Sequence, residues 1–114
     1  VPTPGHSPGG MSWTWQSCEG ERCLDMVYPD SLSAVSAPGF RFSDGMASAI
    51  RESAAALAAL DCDILLSTHD FSFGLQQKLA AGREAFVDPE ACWAYAETAL
   101  ARLERRLEAE TGSL

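Results

Sequence analysis

Thr3-Pro4-Gly5-His6-Ser7-Pro8-Gly9-Gly10 sets one imidazole between two Pro-Gly pairs. Proline fixes φ and glycine accepts φ > 0, so each pair favours a turn. The stretch reads as a stiff loop that holds His6 in a set direction. Next to it, Ser12-Trp13-Thr14-Trp15 alternates polar and aromatic residues, the pattern of a half-buried strand with the tryptophans in the core. Leu24-Asp25-Met26-Val27-Tyr28 reads as a second strand. Between them Cys18 and Cys23 flank Glu19-Gly20-Glu21-Arg22, and the whole resembles a β-hairpin tied at its tip.

Further along, residues 34–42 are a connection around Pro38-Gly39. Ser43 or Asp44 is positioned to cap a helix whose inner face carries Ile50, Ala54, Leu57 and Ala58. Cys62 to Thr68 is a short, nearly all-apolar run, as expected of a strand covered on both faces. His69 follows it in a loop with Asp70, Phe71 and Phe73, and Gly74 to Ala81 forms a short helix ending at Gly82. Asp88 caps a last helix with Pro89 at its first position. Cys92, Ala96, Leu100, Leu103 and Leu107 line its inner face; Arg102, Glu104, Arg105, Glu108 and Glu110 its wet face. The order strand, strand, helix, strand, helix, helix predicts an α/β domain with helices covering a small sheet. In such sheets ligands gather beyond the C-terminal ends of strands. Ser31, Ser33 and His69 all lie there.

The 114 residues suffice for one domain with a modest core, and 46% hydrophobic residues argue against disorder. A net charge of -8, without a basic patch, excludes nucleic acid as an expected partner. No apolar run is long enough to span a bilayer, so no membrane partner is expected. Val1 is not a start residue, and the chain is expected to be processed or part of a longer polypeptide. The cysteines Cys18, Cys23, Cys62 and Cys92 allow three pairings. None of their spacings is CxxC, which points away from structural zinc and towards two disulfides in an oxidising compartment.

His6 and His69 are the only histidines. Neutral imidazole is a good zinc ligand, and a rigid loop loses little entropy on binding metal. A catalytic zinc takes three protein ligands and keeps one position open. Two histidines, with Asp30 or Asp70 as further candidates, fall short of such a set, so this chain holds only part of any zinc site. Ser31 and Ser33 can donate hydroxyl hydrogen bonds to an anionic substrate. No Gly-x-Ser-x-Gly elbow makes either a nucleophile.

Four stretches carry a resemblance. Thr3-Pro4-Gly5-His6-Ser7-Pro8-Gly9-Gly10, Ser12-Trp13-Thr14-Trp15, Tyr28-Pro29-Asp30-Ser31-Leu32-Ser33 and Cys62-Asp63-Ile64-Leu65-Leu66-Ser67-Thr68-His69 closely resemble, in this order, the metallo-β-lactamases of class B, subclass 3. The match runs over essentially residues 1–114 and is to the C-terminal half of such an enzyme. The resemblance implies half of an αβ/βα sandwich, located in the periplasm or secreted. It implies hydrolysis of the β-lactam amide bond, and so antibiotic resistance, with two zinc ions in the complete enzyme. His6 would complete a three-histidine zinc site, and His69 would ligate the second zinc. Ser31 and Ser33 would contact the substrate carboxylate. Cys62 would pair with Cys92, and Cys18 with Cys23. The family's His-x-His-x-Asp-His loop is absent from this half, so the N-terminal half is the implied partner, and the isolated chain is expected to be inactive, with no complete catalytic set of its own. The chain departs from the family at Asp70-Phe71 after the late histidine and at Pro29 before Asp30-Ser31. Two other readings are open: another hydrolase of the same fold, a glyoxalase-like thioesterase or a lactonase using Asp30 as a bridging ligand, and a non-catalytic, disulfide-stapled secreted domain.

Overall fold

The computed structural model describes residues 1–36, 39–67 and 73–112. Its elements follow the expected order: β1 (Trp13–Glu19), β2 (Arg22–Tyr28), α1 (Met46–Ala58), β3 (Ile64–Leu65), α2 (Leu75–Ala81) and α3 (Ala91–Gly112). Short 3-10 turns occupy Phe42–Asp44 and Arg83–Phe86.

β1 and β2 form an antiparallel hairpin, with Cys18 opposite Cys23 and Trp13 opposite Tyr28. Gly20, at φ 62°, makes the turn at its tip. β3 then pairs parallel to β2, and α1 is the crossover between them. Disulfides join Cys18 to Cys23 and Cys62 to Cys92, so both implied pairs form. The second fastens the start of α3 to Cys62, two positions before β3.

The alternation of side chains across β2 decides what is buried. Val27 and its β3 neighbour Leu65 point to one face and are fully buried with Leu57 of α1 and Ala96 and Ala99 of α3. A second cluster, Phe42, Ala47, Ile50 and Leu103, continues the contact between the two helices. Each buried leucine contributes about 2 kcal/mol of transfer free energy. The opposite face carries Trp13, Trp15, Met26, Tyr28 and Ile64, related by cross-strand pairing and two-residue spacing. Arg83, Glu84 and Val87 border it beside Met26 and Ile64, and it is bare at the tryptophans. Trp13 is 64% exposed and Trp15 45%. Their expected place in the core is therefore corrected: they lie on the bare sheet face, because both helices pack on the other. The Cα radius of gyration is 15.4 Å, whereas a compact domain of this length has about 13 Å. The chain is a helix layer and a sheet layer, the αβ half of a sandwich.

Four expectations about individual elements change. Ser43 and Asp44 do not cap α1; they lie in the 3-10 turn before it, and the residue at the cap is Gly45. The Ser43 hydroxyl donates instead to Glu110 Oε1 at 2.9 Å. Glu110 does not belong to the wet face of α3: it is 7% exposed and accepts the backbone N–H of Phe42 at 2.9 Å and of Ser43 at 3.2 Å. Asp88 and Pro89 precede α3, which starts at Ala91; Asp88 Oδ1 accepts the Glu90 N–H at 3.0 Å in a turn of its own. Of the strand expected over 62–68, the described residues 62–67 are regular at Ile64–Leu65, and Thr68 lies outside the described residues. Its ladder is prolonged by Asp63 N–H to Asp25 O and Leu66 N–H to Val27 O.

Candidate metal and substrate site

Residues 1–12 close on themselves. Pro2 and Met11 form a bridge, and Thr3 N–H donates to Gly10 O at 2.9 Å. Within the loop, the Gly5 and Gly10 N–H groups both donate to Ser7 O. Glycine is required at two points. Gly5 has φ 152°, and a β-carbon there would overlap Ile50 of α1. A β-carbon on Gly10 would come within 2.5 Å of Asp30 Oδ2 and 2.6 Å of Thr3 O. From α1, Ser53 Oγ donates to Pro4 O at 2.6 Å. The loop is thus clamped against both α1 and the segment after β2.

That second clamp is a buried chain of hydroxyls. Thr3 Oγ1 and Ser12 Oγ are hydrogen-bonded at 2.7 Å, and both residues are buried. Ser12 Oγ also accepts the Asp30 N–H at 2.9 Å. From the other side Tyr95 of α3 donates its hydroxyl to Asp30 O at 3.0 Å. Burial pushes the Tyr95 phenol above its ordinary range, so it stays a neutral donor. Asp30 is held by both backbone groups, and Ser31 and Ser33 follow it at a fixed height past the end of β2.

His6 and the two serines meet there. His6 Nδ1 lies 2.9 Å from Ser33 O. A carbonyl oxygen can only accept, so Nδ1 is the donor, and in the neutral ring the lone pair is then on Nε2. That is the tautomer a metal ligand needs, oriented by a backbone partner. Ser33 Oγ approaches Nδ1 at 3.4 Å, and Ser31 Oγ and Ser33 Oγ are hydrogen-bonded at 3.0 Å. Ser33 N–H also donates to Ser31 Oγ at 3.3 Å. His6 is exposed and the serines half-buried, and all three line a cavity of about 670 Å³ closed on its far side by α3.

Three of the four expected site residues therefore come together. The fourth, His69, lies outside the described residues. Among the described residues no three of His, Cys, Asp and Glu gather as a metal set. His6 fits a metal as one ligand, and the rest of a coordination sphere must come from elsewhere. Asp30 directs Oδ2 to the base of the histidine loop beside Gly10.

The sequence reading missed the groups that fix this arrangement. Thr3, Ser12 and Tyr95 act through hydrogen bonds between residues well separated in the chain, for which local sequence holds no signal. Arg106 was missed too. It donates to Ala34 O, Ser36 Oγ and Phe40 O, and its guanidinium lies 5.1 Å from the Phe42 ring centroid. It ties the segment following the serines to α3.

A helix-backed sheet with one bare apolar face, and a histidine loop keyed to serines at its strand ends, define half of a metallo-β-lactamase-type sandwich. Solved structures agree. The Rm3 metallo-β-lactamase is 48% identical over 96% of this chain, with TM-score 0.92, and the match covers 44% of that protein. SMB-1, solved with bound 2-mercaptoethanesulfonate, is 45% identical over 96% of the chain and 44% of its own length, with TM-score 0.88. MEM-A1, a subclass B3 enzyme from a soil metagenome library, is 43% identical over 98% of the chain and 46% of its own length, with TM-score 0.91. No family model matches. The chain belongs to the subclass B3 metallo-β-lactamases. It spans less than half the length of these relatives, which fits a C-terminal half.

Proposed function

We propose that this chain is the C-terminal half of a zinc-dependent β-lactamase that hydrolyses the amide bond of β-lactams only when the N-terminal half completes the sandwich. The single observation that carries the reading is the His6 Nδ1 contact with Ser33 O. One hydrogen bond locks the ligand tautomer of a histidine onto the segment whose hydroxyls face an anion. The similarity to Rm3 and MEM-A1 supports it at the level of the family.

In this proposal His6 supplies one ligand of the first zinc and His69 one of the second, with the other ligands on the N-terminal half. When bound, zinc lowers the pKa of a coordinated water towards about 7 and polarises a carbonyl. Ser31 and Ser33 donate to the substrate carboxylate and set the lactam ring against that centre. Ser33 does so while its carbonyl orients His6, so substrate and ligand share one rigid segment. SMB-1 binds 2-mercaptoethanesulfonate, a small thiol with an anionic group, and a site pairing a metal with hydroxyl donors suits such a ligand. The disulfides Cys18–Cys23 and Cys62–Cys92 suit an oxidising location, the periplasm or the medium, and antibiotic resistance is the role that follows. The bare face with Trp13 and Trp15 is where the N-terminal half would pack.

The test compares three samples for bound zinc and carbapenem hydrolysis: this chain alone, the chain joined to an N-terminal half, and the joined protein with His6→Ala. The joined protein is expected to bind about two zincs and turn over substrate. The isolated chain is expected to do neither, and His6→Ala to lose most of the rate and one zinc. Turnover by the isolated chain, or a His6→Ala protein with full zinc and rate, refutes the assignment. A joined protein that binds zinc but opens only thioesters or lactones moves the reading to another hydrolase of this fold.

A further inference from the structure

The cavity has two walls. The His6–Ser31–Ser33 wall faces a stripe of α3 on which Tyr95, Arg102 and Arg105 lie, at helical spacing along one side. The chain has 16 acidic and 8 basic residues. Four of the arginines are held by carboxylates: Arg22 by Glu84, Arg51 by Glu104, Arg83 by Glu19 and Arg106 by Glu110. Arg102 and Arg105 form no ion pair with a described residue, and both are exposed along the same cavity. Tyr95 cannot neutralise them, since its hydroxyl stays protonated and is spent on Asp30 O. A protein of net charge -8 therefore presents two arginines without a described carboxylate partner at the cavity that also offers the Ser31 and Ser33 hydroxyls.

We propose that Arg102 and Arg105 are specificity-determining residues that favour β-lactams carrying a second negative charge on the side chain. The proposal rests on the β-lactamase reading of the same site. The core carboxylate meets Ser31 and Ser33, and a side-chain carboxylate lies in the field of the two guanidiniums across the cavity. The volume, about 670 Å³, is in the range that holds a drug-sized molecule. Charges facing such a cleft act over roughly a Debye length, so they raise capture of an anion without touching the bond that breaks.

The experiment uses the zinc-loaded protein with both halves present. It compares a penicillin with a carboxylate on its side chain and one with an amine there. The variants are Arg102→Gln with Arg105→Gln, and as control Arg83→Gln, which removes the same kind of charge from the hairpin tip. In the double variant kcat/KM for the dianionic substrate is expected to fall about tenfold relative to the zwitterionic one, in KM and not in kcat. Half-molar salt should erase the same preference in the unmodified protein, and Arg83→Gln should leave the ratio unchanged. An unchanged ratio in the double variant, an equal fall for both substrates, or an equal effect of Arg83→Gln overturns the proposal. If the unmodified protein hydrolyses neither substrate, the β-lactamase reading fails instead. The arginine wall is then decided by calorimetric titration with benzene-1,2-dicarboxylate. Binding lost in the double variant supports it, and equal or absent binding in both proteins overturns it.

Discussion

The two ends of the β1–β2 hairpin are held by opposite means. At the open end, beside Trp13 and Tyr28, the anchors are buried and neutral: the Thr3–Ser12–Asp30 hydroxyl chain, and glycines admitted where no side chain fits. At the tip the anchors are exposed and charged: Arg22 on Glu84, Arg83 on Glu19, and a disulfide that closes the turn. Water and salt compete with the second kind of contact and cannot reach the first. The end that must hold His6 and two serines in register is the end built without reliance on surface charge. The comparison makes a ranked series of expectations.

The largest effect belongs to Gly10. In Gly10→Val the new β-carbon meets Thr3 O, a backbone atom, so the loop must open rather than a side chain turn away. The expected cost is about 2–3 kcal/mol in urea denaturation, together with loss of zinc by the protein carrying both halves. An unchanged denaturation midpoint would mean that the open end is not close-packed after all.

Ser12→Ala comes next. It strands two buried partners, the Asp30 N–H and the Thr3 hydroxyl. An unsatisfied buried group costs about 1–3 kcal/mol. Adding Thr3→Val to it removes one of the stranded groups, so the double variant should lose less than the sum of the singles. Strict additivity would show that the hydroxyls act separately. Because Asp30 carries the serine segment, KM for the substrate should rise more than kcat falls.

Much of this was legible in the sequence, and the illegible part has one physical character. The His6 loop, the hairpin, the three helices and both disulfide pairs follow from Pro-Gly turns, periodicity and a family resemblance, all of which act through neighbours in the chain or through motif. The sequence set Ser31 and Ser33 past a strand end, but the contact that joins Ser33 to His6 spans 27 residues and had no local signal. Trp13 and Trp15 were misread because alternation tells which residues share a face, not whether a layer lies over that face. Glu110 was misread because a carboxylate on the solvent stripe of a helix looks the same whether it meets water or, 67 residues away, the Ser43 hydroxyl. Local sequence does not encode which distant N–H groups lack partners.

Glu110 sharpens the comparison, since it is charged like the tip and buried like the open end. Desolvation pushes its carboxyl up, but the N–H groups of Phe42 and Ser43 and the Ser43 hydroxyl favour the ionised form, and the net position is below the ordinary 4.5. A depressed folded-state value means stabilisation that is full above the ordinary carboxylate range and is lost as pH falls through the folded one. Glu110→Gln should therefore be less stable than the unmodified chain at pH 7, with the gap closing as the buffer is taken below pH 4.5. A gap that stays constant with pH would show that shape, not charge, makes this contact.

The smallest effect is expected at the tip. Arg22 and Glu84 form a bidentate pair, with Arg22 Nη1 2.6 Å and Nη2 3.0 Å from the two carboxylate oxygens. The arginine is held more basic and the glutamate more acidic by this hydrogen bond and their mutual attraction. Yet the Arg22 side chain is 53% exposed and that of Glu84 71%. Water solvates either group alone nearly as well as the partner does, and fixing two long side chains costs entropy. Arg22→Gln should therefore leave the denaturation midpoint close to that of the unmodified chain, and the small difference should vanish in half-molar salt. The Cys18–Cys23 disulfide holds the turn whether or not the pair forms. If Arg22→Gln instead destabilises as much as Ser12→Ala, the tip is not the loosely held end, and the contrast between the two ends of the hairpin fails.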